Sequence, residues 1–354
     1  MKKLLGHINM STPPVRFCVI GAGRAGLIHA RNLAQRMRVA ELVALCDADA
    51  TILNTAGDEL GVSTRRNDYH HVVTRDDIDA VVIVTPTFLH CEIACQAALH
   101  GKHIFLEKPM ALTVAECQRI NAAVKKAGVK FQIGFMRRFD ESFRRAHDLI
   151  ASGEMGRVMI IKSTGRGPGG PGTWMYDLRK SNGIVAEVNS HDIDTLRWLT
   201  GLEFQRVYAQ GRNFKCPDAR KDWPDFYDNV VAQFTFAQET MGIVDGTCPA
   251  HYGYDARVEV LCEKGLLLIG AVAEAGLTKV TMDGRVMGQA VKSWRTLFKD
   301  AYLAEMEHFV LCVQEDQTPL VTGVDGQRAV EAVVAVNESI RRSQPADIAL
   351  EATQ

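Results

Sequence analysis

At 354 residues the chain exceeds what one hydrophobic core usually serves, so two domains are expected. A net charge of −1 leaves no electrostatic footprint for nucleic acid or an anionic membrane, and neither is expected as a partner. Nine cysteines without a C-x-x-C pair, Cys18 and Cys46 among them inside apolar runs, imply neither a disulfide frame nor a metal site and suit the reducing cytoplasm.

Residues 1–14 read as a disordered extension, with Met10 a second possible start. No apolar stretch there or later is long enough for a signal peptide or a membrane span, so a soluble cytoplasmic protein is expected. From position 15 onward, apolar strand runs alternate with helical segments, the pattern of right-handed crossovers and a doubly wound parallel α/β sheet. Six strands are expected, at 17–20, 42–46, 62–64, 80–84, 103–106 and 130–133; they lack polar alternation, as in strands covered on both faces. Helices over 87–99 and 113–127 show three- and four-residue apolar spacing, with Gly101 and Gly128 just past their ends as caps. A first domain is expected over 15–137.

Beyond Gly134 the pattern changes. A basic helix at 139–150 leads to a strand-like run at 158–162, a loop at 165–172 rich in Gly and Pro, and a helix at 191–199. Strands near 206–210, 230–236, 240–245, 257–262 and 266–269 then follow without helices between them, which reads as an open, mainly antiparallel sheet. Helices at 301–312 and 326–340 close an α+β second domain over 138–354.

The first strand runs straight into Gly21-Ala22-Gly23-Arg24-Ala25-Gly26, and Asp47 ends the second apolar run. Together these pieces specify a dinucleotide site. Gly21 makes the strand-to-helix turn, Gly23 lets the backbone approach a pyrophosphate, and Gly26 lets the helix lie against the strand. The free N–H groups of the new helix face the phosphates, and Asp47 can accept from ribose hydroxyls. Its charge opposes a 2′-phosphate, and Ala48 supplies nothing to offset it, so NAD is expected over NADP.

Thr85-Pro86 and Glu107-Lys108-Pro109 follow the fourth and fifth strands, at the carboxyl edge where open parallel sheets bind ligands. Lys108 there could reach a nicotinamide or a substrate hydroxyl; a solvated surface lysine is the alternative. Pro109 stiffens the backbone and can adopt a cis bond. Trp174, just after the loop, can stack on a sugar face or the nicotinamide, or anchor its own loop.

Taken with His90, the segment from Gly134 to Asp140 and His191-Asp192-Ile193-Asp194, these motifs make nearly the whole chain resemble the Gfo/Idh/MocA oxidoreductase family, the segment 134–140 being most similar to myo-inositol dehydrogenases. The resemblance implies a dehydrogenase that oxidises a secondary ring hydroxyl of a cyclitol, or of a pyranose sugar or glycoside, and often assembles as a homotetramer through the second domain. It implies Lys108 and His191 as the catalytic pair, with Glu187 at the place of an orienting carboxylate; Asp194, three residues after His191 and on the same side of a helix, could share that task, a solvated helix carboxylate being the alternative. Arg24, Ala25, Thr85, Pro86, His90, Glu107, Lys108 and Arg137 would join the glycines and Asp47 at the cofactor, and Lys108, Arg137, Trp174, Glu187 and His191 would face the substrate. The chemistry agrees. Oxidising an alcohol needs a base near neutral pKa and a fixed cation beside the developing alkoxide, and histidine near ~6.5 suits the base better than lysine near ~10.4. The family commonly carries an aspartate where this chain has Glu187, which reaches one carbon farther. Two other classes exist on this scaffold: glycosidases that hold NAD and oxidise transiently, and proteins that only sense dinucleotide or sugar. Retention of both Lys108 and His191 argues against a sensor.

Overall fold

The computed structural model describes residues 13–350 apart from position 284, so the expected extension at 1–14 lies, but for its last two residues, outside the described chain. Strand β1 (Val15–Ile20) carries Phe17, Cys18 and Val19 with no exposed surface, and strands so apolar on both faces pair in the interior of a sheet. Accordingly it is central. With β2 (Ala40–Cys46), β3 (Arg65–Arg66), β4 (Ala80–Ile83), β5 (His103–Glu107) and β6 (Phe131–Gly134) it forms an all-parallel sheet in the order β3-β2-β1-β4-β5-β6, reversing direction of growth at β1. The crossovers use α1 (Gly26–Arg31), α2 (Ala50–Leu60), α3 (His70–Val73), α4 (His90–Leu99) and α5 (Val114–Ala127). Thr113 caps α5 with a reciprocal bond to Glu116, and Gly128 ends it in the left-handed region.

The third strand begins at Arg65, beyond the expected 62–64. Gly61 caps α2 with φ 67°, and Val62 donates back to Gly57 O at 2.9 Å, so Val62 finishes the helix cap and cannot join the ladder.

Two compact units result. The first holds residues 13–139 together with Asp300–Val330, and the second holds Asp140–Lys299 and Glu331–Leu350. The sequence reading assigns everything after 137 to one domain, whereas the helix Lys299–Gln314 lies with the first unit from Asp300 on. Hydrophobic burial explains this: Met306, Phe309 and Val310 complete the core of Phe17, Val19, Leu45 and Phe105, with Phe309 ring to ring against both Phe17 and Phe105.

In the second unit α6 (Glu141–Ala151), β7 (Val158–Arg166), α7 (Leu178–Ser181), α8 (Gly183–Glu187) and α9 (Ser190–Thr200) precede β8 (Phe204–Arg212), β9 (Asn229–Phe236), β10 (Met241–Thr247), β11 (Asp255–Cys262) and β12 (Gly265–Ile269). A hairpin, β13 (Ala273–Val280) with β14 (Val286–Ala290), and the short α10 (Trp294–Leu297) lead to α11 (Lys299–Gln314), α12 (Gly323–Arg342) and β15 (Ala346–Asp347). The sheet order is β12-β11-β7-β10-β9-β8-β15, antiparallel except for the parallel pair β7 and β10. Alternate residues Val207, Ala209, Val230, Ala232, Phe234, Phe236 and Val244 are buried on the face that α9 covers. On the other face Leu266, Leu261, Ile160 and Met241 stand opposite one another across four strands as an accessible apolar row. No helix among the described residues is long and apolar enough to cross a membrane.

Candidate functional site

At the end of β1 the chain must turn at once into α1, and the turn is built from main chain. Gly21 takes φ +95°, and a Cβ there would stand 2.5 Å from Val84 O; one at Gly26 would stand 1.8 Å from Gly21 O. Only glycine fits either position. Nothing approaches within 4 Å of the Cβ position at Gly23, which leaves the backbone open to a ligand. Ala25 caps α1, and Arg24 is exposed beside it. Asp47, at the end of β2, accepts the Ala22 N–H at 2.7 Å and the Asp49 N–H at 2.9 Å. It braces the turn, and a carboxylate with four acceptor positions can still take a ribose hydroxyl.

Past β4, Pro86 is exposed while the Thr85 hydroxyl is buried with no hydrogen-bond partner. His90 is buried between two backbone carbonyls, Nε2 2.8 Å from Thr85 O and Nδ1 2.8 Å from Pro109 O, so its ring ties the loop after β4 to the loop after β5. Burial pushes its pKa down, and the two carbonyls oppose that. Glu107 is buried, Lys108 is half-buried, and the Lys108–Pro109 peptide is cis. Arg137 is buried in the short turn Met136–Phe139, and Arg138 pairs with Asp325 at 3.0 Å as a buried structural bridge.

In the second unit the candidates His191 and Asp194 sit on α9. Asn189 donates to Gly165 O at 3.0 Å and to Asp192 Oδ2 at 2.8 Å, and Ser163 Oγ donates to Asp192 Oδ1 at 2.5 Å. A Cβ at Gly165 would fall 1.9 Å from Asp192, so the helix can sit this low on β7 only over glycine. That anchorage holds His191 and Asp194, one helical turn apart and only 6% and 2% exposed. Burial excludes a solvated carboxylate at Asp194. Glu187 is half-buried at the end of α8, and Trp174 is half-buried in the turn Thr173–Tyr176. Tyr176 anchors that loop, its ring 4.7 Å from Phe226 and its hydroxyl donating to Asp218 at 3.0 Å.

The candidates therefore divide. Gly21, Gly23, Arg24, Ala25, Gly26, Asp47, Thr85, Pro86, His90, Glu107, Lys108 and Arg137 belong to the first unit; Trp174, Glu187, His191 and Asp194 belong to the second. Sequence reading missed Ser163, Asn189 and Asp192, which aim α9, and His29 and Glu305, which surround Glu107. The only signal for Asp192 and Glu305 is a charged residue inside an otherwise apolar helical stripe.

The open backbone at Gly23, the amides of the turn and the unpartnered Thr85 hydroxyl fit a dinucleotide. Comparison with known proteins agrees. Residues 15–135 match the family described as "Oxidoreductase family, NAD-binding Rossmann fold", and residues 143–268 match the "GFO/IDH/MocA C-terminal domain". The chain is 33% identical over 334 residues to a Bacillus subtilis scyllo-inositol 2-dehydrogenase (NAD(+)), covering 94% of this chain and 96% of that one. It is 31% identical to a Thermotoga maritima myo-inositol 2-dehydrogenase, covering 93% and 97%. Among solved structures, a Lactobacillus casei scyllo-inositol dehydrogenase with bound NAD(H) and scyllo-inositol superposes with a TM-score of 0.86 at 31% identity, covering 95% and 99%.

Proposed function

Because the chain belongs to the Gfo/Idh/MocA oxidoreductases, NAD-dependent enzymes in the relatives it matches, we propose that it oxidises a secondary ring hydroxyl of an inositol-like cyclitol to the ketone. The observation that carries this reading is the joint presence of Lys108 and His191 on a chain that matches inositol dehydrogenases over more than nine-tenths of its length. NAD, when bound, accepts the hydride. His191 takes the hydroxyl proton onto its imidazole, and the Lys108 ammonium stabilises the developing alkoxide. Asp194, buried on the same helix, and Glu187 orient the histidine and bind neighbouring hydroxyls. Glu187 in place of the commoner aspartate shifts the carboxylate by one methylene, which tunes the choice among cyclitol isomers.

The relatives named above are dehydrogenases, which favours net oxidation over the glycosidase and sensor alternatives. Nine free thiols support a cytoplasmic enzyme. The apolar row Leu266, Leu261, Ile160 and Met241 supports assembly, as a tetramer, through the second sheet. The deciding experiment is a screen of inositols, aldoses and glucosides with NAD, followed at the NADH absorbance. Reduction with a cyclitol is expected; release of an aglycone at constant absorbance would replace this reading with the glycosidase one.

A further inference from the structure

Beneath the catalytic candidate Lys108 lies a buried carboxyl pair that the reaction does not use directly. Glu107 accepts from two sides: Nε2 of His29 stands 2.7 Å from its Oε1, and the Lys108 backbone N–H donates to its Oε2 at 3.2 Å. Glu305 of α11 is different. It is fully buried, and neither of its carboxyl oxygens has a hydrogen-bond partner. One ligand atom from each of His29, Glu107 and Glu305 lies within 4.8 Å of the others. The rings of Phe105 and Tyr302 pack on His29 at 5.0 and 5.6 Å, so the surroundings are apolar.

Two ionised carboxylates cannot share such a place without a counterion or a proton. The hydrogen-bonded Glu107 is the member suited to keep its charge, and Glu305, with no donor facing it, is the member suited to be neutral. Burial and the Glu107 charge both push the Glu305 carboxyl well above the ordinary range. A divalent cation is the other way to balance the pair, but the 2.7 Å His29–Glu107 hydrogen bond already occupies the atoms a cation would need.

We infer that Glu305 is a positioning residue: it stays protonated, turns its proton toward the nearby Glu107, and so leaves that carboxylate ionised to grip the backbone N–H of Lys108. The role assigned to Lys108 rests on the proposed dehydrogenase reading, whereas the proton on Glu305 does not. Glu305→Gln keeps a neutral donor toward Glu107, and Glu305→Leu removes it.

The infrared spectrum of the wild-type protein, with glutamate labelled by carbon-13, should show a protonated carboxylic-acid band that is lost in Glu305→Gln. The Lys108 amide should exchange hydrogen faster in Glu305→Leu than in wild type, and Glu305→Gln should restore slow exchange; with a turned-over cyclitol, kcat should follow the same order. Absence of the band, or equal exchange in the two variants, would overturn the inference. So would stoichiometric divalent metal in the purified protein that is lost in Glu305→Gln. If no cyclitol is oxidised the dehydrogenase reading fails alone, because the band and the exchange rate are measured without substrate. Should Glu305→Leu not fold, the loss of the band in Glu305→Gln still decides.

Discussion

The two units prepare for a ligand in opposite ways. In the first, the surface offered is main chain: a turn that only glycine can make, an open approach over Gly23, and Asp47 spending part of its capacity on backbone amides. In the second, the candidates are side chains, and His191 and Asp194 are buried on a helix pinned by Asn189, Asp192 and Ser163. Backbone amides suit a polyanionic cofactor whose phosphates need many weak donors at fixed places. A base that must move one proton needs a single side chain held in one orientation, and a rigid buried anchor supplies that.

If this contrast is right, the largest effects come from side chains. Lys108→Ala and His191→Ala should each lower kcat by ~100-fold or more, the usual weight of a proton-transfer or charge-stabilising group, while NAD titration by fluorescence shows unchanged binding. A near-normal rate in either variant removes that residue from the pair. Next comes the anchor: Asp192→Ala leaves the Ser163 hydroxyl and one of the two Asn189 amide N–H groups without their acceptor in a buried place, and should cost about 2–4 kcal/mol in urea unfolding. A cost below ~1 kcal/mol would show that α9 is held by packing alone.

The first unit should respond to the smallest possible side chain. Gly23→Ala meets no protein atom, so its melting temperature should match wild type, while the Kd for NAD should rise by roughly 10-fold or more as the methyl group blocks the pyrophosphate. Gly21→Ala, by contrast, should lose stability as well, because its φ of +95° and the Val84 carbonyl exclude a Cβ. Equal stability in both variants would break the argument that these glycines do different work. Asp47→Ser with Ala48→Arg should move the kcat/KM ratio toward NADP by on the order of 10- to 100-fold, the worth of one charge-assisted contact.

The smallest effect tests the helical cover of the first sheet, away from either ligand surface. Pairing with the Cys91 thiol lowers the Cys95 thiol from its ordinary value, with Arg119 helping. The reactive thiolate is the deprotonated form, so iodoacetamide labelling of Cys95 should rise with pH through a midpoint below that of an ordinary thiol and level off above it. A midpoint at the ordinary thiol value would mean that Cys91 and Arg119 do not stabilise the thiolate.

Much of the first unit was legible because its signals are local. Strand runs without alternation, a glycine at each tight turn and an acid at the end of the second strand act within a few residues, and the structure displaces only the third strand, where Gly61 and Val62 close a helix cap. His191, Lys108 and Glu187 are candidates by motif alone. Tyr176 as the loop anchor, the hairpin β13–β14 and the membership of α11 were not legible, since each is settled by contacts with residues far along the chain.

From its amino acids alone, then, this protein declares a parallel nucleotide-binding sheet, an open second sheet, NAD over NADP, and the residues suited to an alcohol oxidation, because periodicity, turn chemistry and charge at a given spacing are properties of the chain itself. Which carboxyl is neutral, which aspartate anchors the helix, and which unit claims α11 were decided only by the fold. Glu305 beside Glu107, and Asp192 beside Ser163, become neighbours across 198 and 29 positions that no local pattern couples, and it is burial without water that turns such proximity into chemistry.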